Sequence, residues 1–172
     1  MISWTFPLPA DPLMGTISRA FRRLQTDYSK QPDPARGTLT AESPQQWIIE
    51  CDGASPAWLR GTVEAINRAA RLGDNWDSYG ACRLQEKAAL HAIELLEVSK
   101  FGGPAPAVSP SKDGGIHLEW GRRHFGLELE ITDEGEVSVV LEMDDRVEEW
   151  STTQLGDDRL FGALREVSSR LA

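Results

Sequence analysis

Few cysteines and no long apolar run occur in the sequence, and both absences limit what the protein can be. Cys51 and Cys82 lie in no C-x-x-C pair, so they provide neither a disulfide framework nor a zinc motif and are predicted to be buried, reduced thiols. No stretch approaches the ~20 apolar residues that span a bilayer. The opening MISWTFPLPADPL lacks the basic and apolar regions of a secretory signal. These features predict a cytoplasmic protein that does not bind membranes.

Strong catalytic motifs are missing as well. There is no Walker A loop, no G-x-G-x-x-G after a strand, no H-E-x-x-H and no G-x-S-x-G elbow. The glycines of SKDGG precede a predicted strand, so they lack the helix N-terminus that binds phosphate. Nucleophilic and phosphoryl-transfer catalysis are therefore disfavoured. We expect a protein without a cofactor that is more readily a binding protein than an enzyme.

Basic residues are scarce in most of the chain, whose net charge is −9 over 172 residues. Residues 1–42 hold five Lys or Arg against four Asp or Glu, whereas residues 43–172 hold thirteen against twenty-three. Nucleic-acid binding draws its affinity from basic contacts, so direct binding of nucleic acid by the main body is disfavoured. An acidic surface suits a basic or nucleic-acid-binding protein partner or nucleic-acid mimicry, and a solvated acidic face is the favoured interpretation.

The length indicates one domain with an appended arm. Residues 1–44 are predicted to form an N-terminal arm with one amphipathic helix at residues 16–30, followed by a Pro-rich linker. Residues 45–172 are predicted to form a single α+β domain. The candidate partner-binding residues of the arm are Arg19, Arg22 and Arg23.

The clearest secondary-structure signal is the strict alternation of apolar and polar residues in GIHLEWGRRHFGLELEI. It predicts a hairpin that turns at Gly121-Arg122 and places Glu119 opposite His124. TDEGE then predicts a second turn with Gly135 in the left-handed conformation, which sets Ile131 opposite Val137. The two turns give a three-stranded antiparallel meander.

Apolar stripes at helical spacing predict three helices around this meander. They lie in ASPAWLRGTVEAINRAARLG, where Ser55 is the predicted N-cap, in LQEKAALHAIELLEVSKF and in STTQLGDDRLFGALREVSSRL. QQWIIECD and Ala107-Val108 are predicted to be short strands. The predicted fold is α+β, with a small antiparallel sheet made of the meander plus one or two edge strands. Helices pack on one face of this sheet, and the other face is acidic and open.

Three side chains on the open face of the predicted hairpin form a candidate metal site. His117 and Glu119 point the same way, and the predicted register sets His124 opposite Glu119 with Cβ atoms ~5 Å apart. Two imidazoles and a carboxylate suit Zn²⁺ or acid–base chemistry. A flat site without a fourth ligand or orienting partners equally fits an exposed Glu–His pair, which is the favoured interpretation.

The acidic stretch EMDDRVEEW lacks the spacing and the glycine of an EF-hand loop. It predicts either a solvated strand end and loop or an acidic surface for a basic partner, with Trp150 as an aromatic anchor. The candidate partner-binding residues of the domain are Glu128, Glu130, Asp144, Asp145, Glu148, Glu149 and Trp150.

The stretch GDNWDSYGAC joins two predicted helices and admits two interpretations. A catalytic one uses Asp77 as a base and Tyr79 as a proton donor. A structural one has Asn75 and Asp77 accept backbone N–H groups, Trp76 and Tyr79 pack inward, and Gly80 permit a tight turn. The structural interpretation is favoured because no histidine is near in sequence.

Two motifs resemble a known group of proteins. NWDSYGA at residues 75–81, together with DGGIHLEW at residues 113–120 and the following LELEI, is similar to small, uncharacterised bacterial and phage-borne proteins. The resemblance covers about residues 70–145. It departs at Arg83-Leu84-Gln85, where the group has a Pro-Ile-Ser-like helix start, so the cap of that helix is in doubt. The resemblance implies a partner-binding role near mobile or toxin–antitoxin-like loci and identifies no catalytic residue.

These observations favour a non-catalytic, acidic interaction protein that binds and modulates or inhibits a protein partner. It would resemble an antitoxin, an inhibitor or a defence or counter-defence protein, and a homo-oligomer is compatible with it. One alternative is a metal-assisted hydrolase that uses the open face of the hairpin. Another is a structural subunit of a larger assembly.

Overall fold

The fold is α+β, with three helices and a five-stranded antiparallel sheet in the part of the chain that is described. The computed structural model describes residues 21–23, 47–51 and 55–171. In chain order the elements are β1 (Phe21–Arg23), β2 (Ile49–Cys51), α1 (Ala57–Ala69), α2 (Glu86–Val98), β3 (Ala107–Pro110), β4 (Ile116–Arg122), β5 (Phe125–Ile131), β6 (Val137–Met143), β7 (Arg146–Thr152) and α3 (Asp158–Leu171). The large sheet has the order β3-β4-β5-β6-β7, and β1 pairs with β2 in a separate ribbon.

Alternation along the strands decides which side of the sheet is buried. The buried side holds Ile116, Leu118, Trp120, Phe125, Leu127, Leu129, Ile131, Val137, Val139 and Leu141. These side chains form one core cluster with the buried residues of the three helices. Full burial of a Leu or Ile side chain contributes roughly 1.5–3 kcal/mol, so ten such positions fix the orientation of the meander. The intervening polar residues are thereby directed away from the core.

The predicted register of β5 and β6 is confirmed. Ile131 lies opposite Val137, and Gly135 has a φ of 86° in the intervening turn. The Thr132 N–H donates to the Glu136 carbonyl at 3.0 Å and closes that turn. The left-handed backbone at Gly135 explains why a glycine stands there, since other residues rarely adopt it.

The predicted turn between β4 and β5 is wrong by two residues. Arg122 lies opposite Phe125, so Arg123 and His124 form the turn and His124 adopts a φ of 66°. In the observed register Trp120 lies opposite Leu127, whereas the predicted register would have set it opposite Arg123. Apolar cross-strand pairs on the buried side therefore outweigh the turn preference of Gly121. A shift by an even number of residues keeps every side chain on its predicted face.

The strand β7 occupies a stretch that the sequence predicted to be a strand end and loop. It runs antiparallel to β6 over seven pairs, from Met143 opposite Arg146 to Val137 opposite Thr152. The short strand predicted at Ala107-Val108 is confirmed as β3 at the other edge. The sheet is thus the predicted meander with one further strand on each side.

The helices form where the apolar stripes predicted them, but the predicted cap of α1 is wrong. Pro56 occupies the N-cap position and no side chain caps the helix, while Ser55 is buried. On α1 the predicted stripe residues Leu59, Val63 and Ile66 are buried. None of the helices in the described residues has the length and apolar content of a membrane span.

The predicted amphipathic helix of the arm is wrong at residues 21–23, which form β1. This strand pairs antiparallel with β2, with Phe21 opposite Cys51. A short segment takes its conformation from the partner that satisfies its backbone groups, and here the partner is the edge of β2. Arg22 and Arg23 lie on β1, whereas Arg19 and the rest of the predicted helix lie outside the described residues.

Candidate functional site

Five glutamates gather on the side of the sheet that faces away from the core. The alternation of β4 to β7 directs these side chains outward: His117, Glu119, Glu128, Glu130, Ser138, Val140, Glu142, Val147, Glu149 and Ser151. The set contains five carboxylates, one imidazole and no Lys or Arg. We call Glu119, Glu128, Glu130, Glu142 and Glu149, together with His117, the acidic face.

Like charges meet directly on the acidic face. Glu119 lies opposite Glu128, and Val140 separates Glu128 from Glu149 in the same cross-strand row. Directly opposed side chains in a sheet have Cβ atoms ~5 Å apart, and like charges at that distance are destabilising. Among the described residues, Nε2 of His117 lies 3.4 Å from Oε1 of Glu130, and the imidazole is positively charged only when protonated.

Two glycines lie on the outward side of the sheet, next to the acidic face. Gly121 lies opposite Gly126, and a Cβ at Gly121 would meet nothing within 4 Å. A shallow cleft of about 280 Å³ opens beside His117 and Glu119 and is also lined by Lys112. A second cleft of about 450 Å³ lies beside Glu119 and Gly121 and is also lined by Arg122.

The candidate metal site is wrong as a constellation. His124 lies in the turn, and Glu119 faces Glu128 instead of His124 because of the observed register. His91 lies elsewhere, with its Nδ1 3.4 Å from the carbonyl of Thr132. Within the described residues, no group of three or more His, Cys, Asp or Glu side chains is arranged to hold a metal ion. The hydrolase interpretation thus loses the residue set on which it depended.

The other acidic candidates divide between two places. Asp144 and Asp145 form the turn between β6 and β7, where Asp144 has a φ of 52°. Glu148 and Trp150 lie on the core side of β7, opposite Leu141 and Val139 respectively. Neither of these two side chains therefore belongs to the acidic face.

An arginine of α3 covers the core side of β7. The Arg159 guanidinium lies 3.9 Å from the centre of the Trp150 ring and donates to Glu148 at 2.8 Å. Trp150 is half-buried, and its Nε1 is buried without a hydrogen-bond partner among the described residues. The predicted aromatic anchor is thus already in contact with its own protein.

The loop between α1 and α2 is built on side-chain acceptors, as the structural interpretation predicted. Oδ1 of Asp77 accepts from the N–H groups of Tyr79 and Ala81, at 2.8 and 3.1 Å. Oδ1 of Asn75 accepts from the Gly80 N–H at 2.8 Å. Asn75 and Gly80 have φ values of 62° and 96°, in the region that asparagine and glycine tolerate best. The asparagine, the aspartate and the glycine therefore have structural roles here.

The prediction that both aromatic residues of this loop pack inward is wrong. Tyr79 is 93% exposed and Trp76 is 36% exposed. The indole N–H of Trp76 donates to the Cys82 carbonyl at 3.1 Å, so Trp76 braces the loop from outside. Because backbone hydrogen bonds already close the turn, the loop does not require Tyr79 to be buried.

Hydrogen bonds shift the acidity of the loop carboxylates. The Arg83 side chain and backbone donate to Asp74, and they hold the pKa of that carboxyl below its usual range. Backbone N–H groups of Tyr79 and Ala81 likewise lower the pKa of Asp77. Both groups are stabilised as carboxylates, so neither has the raised pKa that a general acid at neutral pH would need.

The two cysteines are free and lie in different environments. Cys51 is half-buried, and burial raises the pKa of its thiol. Cys82 is exposed, contrary to the prediction that both thiols are buried. Its backbone joins two loops, since its N–H donates to the Lys112 carbonyl at 2.7 Å.

Two glutamates of the acidic face were not among the predicted partner-binding residues. Glu119 was assigned to the metal candidate, and Glu142 begins the acidic stretch EMDDRVEEW but was not named as a candidate residue. The signal for Glu142 was present, because it alternates with Leu141 and Met143 in a strand whose register was predicted. Counting charges by sheet face, instead of by stretch of sequence, would have found both.

Comparison with known proteins gives no relative. No family model, no curated protein and no solved structure matches the chain.

Proposed function

We propose that this is a non-catalytic interaction protein whose acidic face binds a basic protein partner and modulates or inhibits it. Antitoxins, inhibitors and defence or counter-defence proteins act in this way. The observation that carries the proposal is the charge pattern of the outward side of β4 to β7. Five glutamates and one histidine stand there without a single Lys or Arg.

The arrangement is unfavourable for the isolated fold. An opposed Glu–Glu pair costs stability, and exchanging one member for a neutral residue would relieve it. The pair Glu119–Glu128 nevertheless lies within the β4–β5 ladder, between the apolar pairs Leu118–Leu129 and Trp120–Leu127. A cationic surface laid on this face would supply the missing counter-charges, so binding would offset a cost present in the free protein.

The chemistry of the partner follows from the same pattern. A patch of one sign raises association rates with an oppositely charged surface and repels phosphate backbones. The partner is therefore a protein with a Lys- or Arg-rich surface, such as a nucleic-acid-binding protein. Screening at physiological salt acts over ~8 Å, so we expect the association rate to fall as salt concentration rises.

Capture of the partner with matched variants tests the proposal. The tagged chain from its native host should retain one stoichiometric partner that is identified by mass spectrometry and has a basic surface. The double variant Glu119→Gln/Glu128→Gln should weaken binding of the purified partner by ~10-fold or more, on the scale of two charge contacts. The control Glu64→Gln/Glu134→Gln removes the same charge from exposed sites outside the acidic face and should bind normally.

Two results would contradict the proposal. One is a protein that runs alone and retains no stoichiometric partner from its host. The other is a partner that binds both double variants equally, because the acidic face would then have no special part in binding.

A further inference from the structure

Within the described residues, the outer edge of β7 pairs with no other strand. β7 is the last strand of the sheet, and its register with β6 is continuous from Arg146 to Thr152. It contains neither a proline nor a bulge, two of the features that usually protect an edge strand from pairing. The opposite edge differs, because β3 has only four residues, ends at Pro110 and packs against α1.

Two hydrogen bonds at the ends of β5 and β6 reveal which way the backbone groups point. The Asp144 N–H donates to the His124 carbonyl at 2.9 Å, and the Thr132 N–H donates to the Glu136 carbonyl at 3.0 Å. Bonding direction alternates along an antiparallel ladder. The even-numbered residues of β6 therefore turn their backbone groups towards β5, and the odd-numbered residues turn theirs towards β7.

The same alternation continues into β7. Met143 and Val139 of β6 are paired with Arg146 and Trp150, so the even-numbered residues of β7 bond to β6. The backbone groups of the odd-numbered residues then point outward. These residues are Val147, Glu149 and Ser151, and none of their N–H or C=O groups bonds to another described residue.

Side chains next to this edge select what can pair with it. On the core side, Arg159 already covers Trp150 and Glu148. On the outward side an added strand would stand beside Glu149 and beside Val147, whose side chain is 59% exposed. Alternate residues of an added strand would project over the acidic face, so Lys or Arg at those positions would meet its carboxylates.

A second copy of the chain is a poorer match. Full antiparallel overlap of two β7 strands sets Glu149 opposite itself, and each chain carries a net charge of −9. Like charges directly opposed destabilise such a pair. The edge therefore favours a basic strand over a copy of itself.

We propose that the outer edge of β7 binds an extended, basic segment of the protein partner as a sixth, antiparallel strand of the sheet. The N–H and C=O groups of Val147, Glu149 and Ser151 form the ladder, and basic side chains at alternate positions of the segment lie over the acidic face. This mode of binding rests on the proposed function and adds how the partner is held.

Three blocked peptides of equal charge test the ladder. The probe alternates threonine and lysine and is long enough to span β7. One twin carries N-methyl groups on the backbone nitrogens of its lysines, which face β7 when the peptide pairs antiparallel with its lysines over the acidic face. The other carries them on the backbone nitrogens of its threonines, which then face away from β7. Fluorescence anisotropy at low salt measures binding, and amide hydrogen exchange locates it.

The ladder predicts a specific order of affinities. The probe and the threonine-methylated twin should bind alike, whereas the lysine-methylated twin should bind about tenfold or more weakly, because it loses its ladder donors. The probe should slow exchange at Val147, Glu149 and Ser151. On the protein, Ser151→Pro should weaken binding of the probe, while Ser151→Ala should not, since proline is tolerated at an outward edge position and removes only that donor.

Three outcomes would overturn the proposal. Equal binding of all three peptides would show that charge alone holds the probe. The proposed backbone ladder would then be refuted, and the proposed function would be unaffected. Failure of all three to bind would remove the ladder as well, while the proposed function is still decided by capture with the acidic-face variants. A dimer by light scattering with the same three amides protected would assign the edge to a second copy.

Discussion

The carboxylates of the α1–α2 loop and those of the acidic face differ in what they contact. In the loop, Asp74 and Asp77 accept hydrogen bonds from Arg83 and from backbone N–H groups. On the acidic face, Glu119 and Glu128 face each other across the β4–β5 ladder, and the outward side chains of β4 to β7 include no Lys or Arg. The first set stabilises the folded chain and the second set does not. A high density of acidic residues is therefore informative about binding only after structural contacts are accounted for.

The largest change in stability should come from Asn75→Ala in the α1–α2 loop. The change removes the acceptor of the Gly80 N–H and places alanine at a φ of 62°. The lost bond and the left-handed backbone together should cost about 2 kcal/mol of unfolding free energy, measured by urea denaturation. Tyr79→Ala in the same loop is the control and should change stability by less than about 0.5 kcal/mol. A larger loss for Tyr79→Ala than for Asn75→Ala would reverse the structural assignment of the loop.

A smaller effect is expected in the pH dependence of stability, to which the carboxylates of Asp74 and Asp77 contribute. The pKa values of Asp74 and Asp77 are lower in the folded protein than their usual range. Their stabilisation is therefore complete above the unfolded pKa of about 4 and is lost as the pH falls through the lower folded values. The difference in stability between wild type and Asp74→Asn/Asp77→Asn should shrink on acidification below about pH 4. Thermal unfolding at several pH values measures it, and a difference that grows towards acid would contradict the assignment.

The smallest expected effect is a gain in stability, from a substitution on the acidic face. Glu128→Gln should stabilise the fold by about 0.5 kcal/mol at low salt, because it removes the repulsion from Glu119. Added salt should reduce this gain through screening. Glu64→Gln on α1 is the matched control and should show no comparable gain. If Glu128→Gln destabilised the protein at low salt, the opposed glutamates would have to be regarded as structural.

From the sequence, the two sides of the sheet and the type of most elements were predicted correctly. The register of strand pairs and the exposure of single side chains were predicted less well. Alternation was sufficient for the two sides of β4 to β6, and Gly135 located one turn correctly. The turn at Arg123-His124 was missed because a local glycine signal competed with cross-strand apolar contacts that no short stretch displays.

Two other features were beyond a local interpretation. β7 was not predicted to be a strand because its sequence is rich in acidic residues. The apolar residues of β6 that pair with β7 are visible only in the structure. Tyr79 looked buried because aromatic side chains usually are, and only the hydrogen bonds of Asn75 and Asp77 show that the loop closes without it. Membership of the acidic face required the register, since its glutamates come from four strands.

The order of the strands in the sheet has a consequence for how the protein folds. Strands β3 to β7 are adjacent in the sheet in the same order as in the chain, and consecutive strands are joined by loops of two to five residues. Closing such short loops costs little entropy, so each strand can pair with the one synthesised just before it. The sheet can therefore grow by one hairpin at a time during translation, with β7 as the last strand to join.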